Sequence, residues 1–252
     1  MMMEYSFIFL ICCLFFLVAF LYSTVGHGGA SGYLAVLSLF AFPTDERAST
    51  ALLLNIIVAG IAFYYYYRSG FFSTKLTIPF LITSVPLAFI GGMIHVPKQI
   101  YGLLLTIALI AAALRLIIKF ESDTDGSLKY TLPSLRIALP TGGVLGLISG
   151  VVGVGGGIFL SPIILLLKWA DPKFTAATSA LFIVVNSVAG ISGRIIDGRF
   201  STGTLLPFLV AAILGGFIGS MWGSRKFSNI TLRRLLGIVL IIAAVKLLIT
   251  SL

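Results

Sequence analysis

The chain has 252 residues, of which 59% are hydrophobic and only 10% charged, and its apolar runs fill nearly the whole length instead of gathering in one core. That is a membrane composition, and it excludes an ordinary soluble domain. The net charge of +9 would point to nucleic acid in a soluble protein. Here the Lys and Arg residues lie almost entirely between apolar runs, so lipid headgroups and the translocation machinery are the expected partners and nucleic acid is not.

In chain order, the first unit covers residues 5–42 and opens on the uncharged run 7–22. It lacks a basic leader and a small-residue cleavage site, so it reads as a retained helix, not a signal peptide. Cys12 and Cys13 within it are adjacent, unsuited to an ordinary disulfide or a metal site, and read as packing residues. At about 1.5 Å per residue a single helix of that length would far exceed the roughly 30 Å hydrocarbon core. The unit must bend, and Gly26, Gly28, Gly29 and Gly32 mark the place.

Uncharged runs follow at 48–67 and 76–96, each near the roughly 20 residues of a membrane helix. The aromatic run Tyr64 to Tyr67, beside Arg68, suits a cytoplasmic interface. A further helix carrying Arg115 closes this half. The polar segment 121–133, with Asp123, Asp125, Gly126 and Lys129, is the only substantial break.

The second unit, 134–170, needs a bend for the same reason, and Gly150, Gly153, Gly155, Gly156 and Gly157 supply it. Runs at 174–193, 203–223 and 235–245 complete the chain.

The two halves match at an offset of about 130 residues. Gly26-His27-Gly28-Gly29 answers Gly153-Val154-Gly155-Gly156, Val58-Ala59-Gly60 answers Val188-Ala189-Gly190, and Phe89-Ile90-Gly91 answers Phe217-Ile218-Gly219. The expected organisation is a first membrane repeat at 1–120, a cytoplasmic linker at 121–133 and a second repeat at 134–252. If each bend returns the chain to its starting side, Arg47, Lys98, Arg194 and Arg199 fall on one face and most other Lys and Arg residues on the opposite face. The positive-inside rule favours that version. It predicts an all-α integral membrane protein of two inverted repeats, each with about four full transmembrane helices plus a short Gly-interrupted helix. Both termini would lie outside the cell membrane.

The short pieces after the bends would be roughly 16 to 20 Å long, so their tips would meet near the midplane. Their free N–H groups and positive dipole ends would then face one central space suited to an anion. Short Gly-interrupted segments at matching positions of two halves point to a transporter site. The residues expected to hold the anion are Gly26, His27, Gly28, Gly29, Ser31 and Asn55 from the first half and Gly153, Gly155, Gly156, Gly157, Ser161 and Asn186 from the second. The bland alternatives are close helix packing for the glycines, interhelical hydrogen bonding for Asn55 and Asn186, and a backbone bond for His27. Arg115 and Lys246 are expected to snorkel to opposite interfaces. The apolar segments hold no Asp or Glu, which argues against a carboxylate-based cation site. No cofactor motif, metal-ligand set or catalytic residue is visible.

The turns Gly26-His27-Gly28-Gly29 and Gly153-Val154-Gly155-Gly156-Gly157, the latter followed by Phe159-Leu160-Ser161-Pro162, with the duplication and the length, resemble the TauE/SafE family of membrane proteins. The first turn departs from the glycine run at His27 and Ala30. The resemblance implies export of a small anion such as sulfite or a sulfonate, with the two repeats rocking to expose the site alternately. Two other functional classes compete with this one. Gly29-Ala30-Ser31-Gly32 fits the G-x-S-G pattern of rhomboid intramembrane serine proteases, but the only histidines are His27, on the same turn, and His95, beside Pro97. A non-transporting membrane scaffold is the other. The sequence leaves the transported anion, the driving force and a homodimer open.

Overall fold

The computed structural model of the chain describes residues 2–94, 130–202 and 206–241, apart from positions 41, 43, 233, 236, 239 and 240. Among these residues it is all-helical, without a strand. The helices are α1 (Met2–Ser23), α2 (Ala30–Leu39), α3 (Thr44–Arg68), α4 (Thr74–Met93), α5 (Leu135–Val152), α6 (Gly157–Leu166), α7 (Pro172–Ile196) and α8 (Leu206–Arg225). Each half thus reads long, short, long, long among the described residues. Among the described residues five helices, α3, α4, α5, α7 and α8, are long and apolar enough to cross a membrane. Arg115, Lys246, His95 and residues 121–129 of the linker lie outside the described residues.

Local chemistry sets several helix ends. Asp171 caps α7 by accepting from the N–H groups of Lys173 at 2.8 Å and Phe174 at 3.1 Å, and Pro172 supplies a preset φ at the first helical position. Ser73 caps α4 through the Leu76 N–H. α5 ends at Gly153, whose left-handed φ of 78° releases the chain into the second bend.

Glycines of a different kind hold the long helices together. Gly142, Gly146 and Gly150 on α5 lie directly against the backbone of Phe80, Ser84 and Ala88 on α4, and a Cβ at any of them would overlap main-chain atoms. Gly215, Gly219 and Gly223 on α8 lie in the same way against Phe16, Phe20 and Thr24 on α1. Spacing by four keeps each set on one helix face, so two backbones can touch along a seam. The register advances in the same direction on both partners, so α4 runs parallel to α5 and α1 parallel to α8. The first helix of each half therefore packs against the fourth helix of the other.

Between the seams, α3 and α7 cross the centre in contact with each other. Ala48 and Leu52, early in α3, lie near Arg194 and Gly190, late in α7, whereas Tyr66 clusters with Ala176 and Ala177. The two helices are antiparallel. Arg47, Arg194 and Arg199 consequently lie at one end of the molecule. Arg68, Lys75, Lys173, Arg225 and Lys226 lie at the other, where Lys173 stands over Phe71, Arg225 over Tyr65 and Lys226 over Trp222. Tyr64 and Tyr67 are exposed at that end, but Tyr66 is buried and donates its hydroxyl to the carbonyl of Thr24. Cys12 is half-buried and Cys13 exposed, both as free thiols.

Candidate functional site

α2 and α6 are ten residues each, roughly 15 Å, about half a hydrocarbon core. Both begin at the glycine-rich bends, and both bends are buried. The first N–H groups of any helix have no intrahelical acceptor, so each short helix presents donors and the positive end of its dipole at its bend.

One side chain joins the two bends. Asn55, on α3, accepts from the Ala30 N–H at 3.0 Å through Oδ1 and donates to the Val154 carbonyl at 3.2 Å through Nδ2. Its amide thus serves the first residue of α2 and the second bend together. Glycine is required on both sides of it. A Cβ on Gly28 would overlap the Asn55 side chain, and one on Gly155, which also has a left-handed φ of 75°, would come within 2.7 Å of Nδ2.

A second link crosses between the halves. His27 Nε2 lies 2.7 Å from Ser161 Oγ on α6, and Ser161 Oγ lies 2.6 Å from Ser179 Oγ on α7. Ser31 instead pairs with the Tyr22 hydroxyl at 2.9 Å. His27 therefore meets Ser161, not the serine of the G-x-S-G pattern, and among the described residues no histidine or carboxylate is bonded to Ser31 to activate it.

The other expected residues take different positions around these links. Gly26 is set against the backbone of Ala176, and Gly157 against Ile183 and the Ser179 carbonyl. Gly29 faces Tyr33 and Val18, Gly153 faces Ala48 and Arg194, and Gly156 faces Phe182 and Ser149. Asn186 does not join the bridge that Asn55 makes. Its Nδ2 donates to the Phe182 carbonyl one turn back on its own helix, at 2.8 Å. By the Val-Ala-Gly match the counterpart of Asn55 is Val185, and the one-residue difference turns Asn186 by about 100° around the helix.

The family model described as Sulfite exporter TauE/SafE matches residues 11–247. The chain belongs to the TauE/SafE family. It is 35% identical over 237 residues to the "Probable membrane transporter protein y4hK" of Sinorhizobium fredii, covering 93% of this chain and 95% of that one. It is 25% identical over 235 residues to the "Probable membrane transporter protein YdhB" of Bacillus subtilis, covering 88% and 90%. A 74-residue stretch is 32% identical to "Sulfite exporter TauE/SafE family protein 2" of Arabidopsis thaliana, 29% of this chain and 16% of that one. No solved structure matches the chain. The family and the apolar helices together make this a multi-pass membrane transporter.

In this TauE/SafE chain the structure adds residues around the bends that the sequence did not single out. Ser187 and Ser149 are fully buried, and among the described residues their hydroxyls have no hydrogen-bond partner. The Ser187 hydroxyl lies 3.0 Å from where a Gly155 Cβ would stand, and the Tyr33 hydroxyl, also buried and without a partner among the described residues, lies 3.1 Å from that position on Gly29. A buried hydroxyl left unbonded costs about 1–3 kcal/mol, so these three beside the bends are groups with hydrogen-bonding capacity to spare. Scattered Ser and Tyr within apolar runs carried no periodic signal that would have separated them from packing residues.

Proposed function

We propose that this protein is a secondary transporter that exports a small anion, sulfite or a small organosulfur anion, held between the two bends and exposed alternately to each side of the membrane. The observation that carries the reading is the Asn55 bridge. It holds the starts of two oppositely derived short helices beside one side chain. Two positive helix ends drawn together repel, and an anion between them relieves that repulsion. The N–H groups of Gly28, Gly29, Gly155, Gly156 and Gly157, with the Ser187, Ser149 and Tyr33 hydroxyls, would complete the anion's shell. A tetrahedral or pyramidal oxyanion suits such a set because it accepts from many directions. The name of the Arabidopsis relative, "Sulfite exporter TauE/SafE family protein 2", agrees with that class.

The two halves, residues 1–120 and 134–252, are read as inverted repeats. The antiparallel course of α3 and α7 and the reciprocal α1–α8 and α4–α5 seams favour this reading. The end carrying Arg68, Lys75, Lys173, Arg225 and Lys226 is assigned to the cytoplasm by the positive-inside rule, with both termini outside. A membrane potential negative inside would itself favour anion exit.

Reconstitution in liposomes tests the function. Efflux of sulfite or a small sulfonate above that of chloride is expected, and the absence of protein-dependent flux of every sulfur oxyanion sinks the reading.

A further inference from the structure

Arg194 stands near the C-terminal end of α7, where an arginine would ordinarily extend to water or headgroups. It does not: only 5% of it is exposed, and among the described residues it is the one Lys, Arg, Asp or Glu in the buried set. Its Nη2 lies 3.7 Å from the position a Cβ on Gly153 would take, against the start of the second bend. A permanent charge buried within a membrane protein is costly, and such charges mark substrate and ion pathways.

Small residues of α7 and the second bend, bordered by Leu52, connect Arg194 with the anion cradle. Ile183, Ser187, Gly190 and Arg194 follow at helical spacing along one face of α7. Gly155 lies against Ile183 and Ser187, Gly190 against Gly150, and Gly153 against Arg194, while Leu52 of α3 borders both Gly153 and Gly190. Small residues alone would show only close packing. The two ends of this strip distinguish it, one the buried hydroxyl of Ser187, without a hydrogen-bond partner among the described residues, the other a buried guanidinium. The matched position in the first half is Tyr64, which is exposed, so the duplication does not by itself impose an arginine here.

We propose that Arg194 is a transit residue for the transported anion, receiving it between the cradle and the end of the molecule that carries Arg47 and Arg199. This rests on the reading of the two bends as the anion site. A guanidinium keeps its charge and offers a planar fork of donors that fits two oxygens of a sulfite or sulfonate. Arg194 is roughly 10 Å along α7 from Ser187, so it acts on passage and not on binding in the cradle.

The test uses the full chain as wild type, Arg194→Gln and Arg194→Lys. Flux of sulfite and of ethanesulfonate from proteoliposomes is measured beside equilibrium binding of the same anions in detergent. The Gln variant is expected to bind within about twofold of wild type but to lose at least about tenfold in maximal flux, and the Lys variant to recover most of it. Undiminished flux in the Gln variant overturns the proposal. So does a Gln variant that loses binding and flux together or does not fold, or a Lys variant as impaired as Gln, since each of these marks a structural role. A wild-type protein that moves neither anion fails earlier, at the transporter reading itself.

Discussion

Asn55 Nδ2 and the Val154 carbonyl, 3.2 Å apart, tie a helix of the first half to the bend of the second. The same amide accepts from Ala30 N, so a single side chain fixes the distance between the two bends. Replacing it by alanine leaves a buried N–H and a buried carbonyl unbonded, at about 1–3 kcal/mol each. Asn55→Ala should lower the melting temperature in detergent by several degrees and remove most of the flux. A variant with wild-type melting and wild-type flux contradicts the role assigned to the bridge.

Gly155 and Gly60 make a paired test of what a methyl group does. At Gly155 the methyl would meet Asn55 Nδ2, Ile183 and Ser187 on a left-handed backbone, whereas at Gly60, within α3, nothing lies within 4 Å. Gly155→Ala should destabilise by about 2 kcal/mol or more through strain and overpacking. Gly60→Ala should be neutral or stabilising by up to about 1 kcal/mol, the helix-propensity difference. Thermal melts of both variants check the contrast, and equal effects would argue against it.

Ser161 sits between His27 and Ser179. Ser161→Ala should cost about 1–3 kcal/mol by leaving the ring nitrogen and the Ser179 hydroxyl without that partner. Ser31→Ala, by contrast, should leave the His27 contact unaltered, and no peptide cleavage should be seen with or without it. Protease activity that disappears in Ser31→Ala would restore the hydrolase class that the Tyr22–Ser31 pairing disfavours.

The seams predict a larger penalty. Gly146→Leu would drive a side chain into the backbone of Ser84, and Gly219→Leu into that of Phe20. Overpacking costs about 1–3 kcal/mol where side chains can adjust, and more where the obstacle is main chain. Both variants should elute as aggregates or melt well below wild type on size-exclusion and thermal assays, and a well-behaved Gly146→Leu would show that the seam is looser than described.

The positions of the breaks were legible because glycine runs interrupt long apolar stretches, and length against bilayer thickness left the chain no alternative to bending. The parallel seams were not. Gly142 and Gly146 read as ordinary helix glycines until a partner is placed beside them, and Gly150, expected in the second bend, instead lies inside α5 on the seam against Ala88. The Asn55 bridge was only half legible. A lone amide in an apolar run announces a hydrogen bond, but its acceptor and donor come from Val154 and Ala30, distant in sequence and without any marking of their own. Asn186 lies at nearly the matching place in the second half, and position along the chain was visible while rotation about the helix was not. Arg194 was hidden by its place in the chain, since an arginine at a helix end ordinarily reaches solvent.

The seams carry a consequence for how the protein would come apart. Because α1 adheres to α8 and α5 to α4, the closest backbone seams join the two halves of the chain to each other. Cutting the chain in the linker would yield two fragments that each expose an unpaired helix edge, so neither should fold by itself. Expressed together they should recover one another, as the two strands of a splice do.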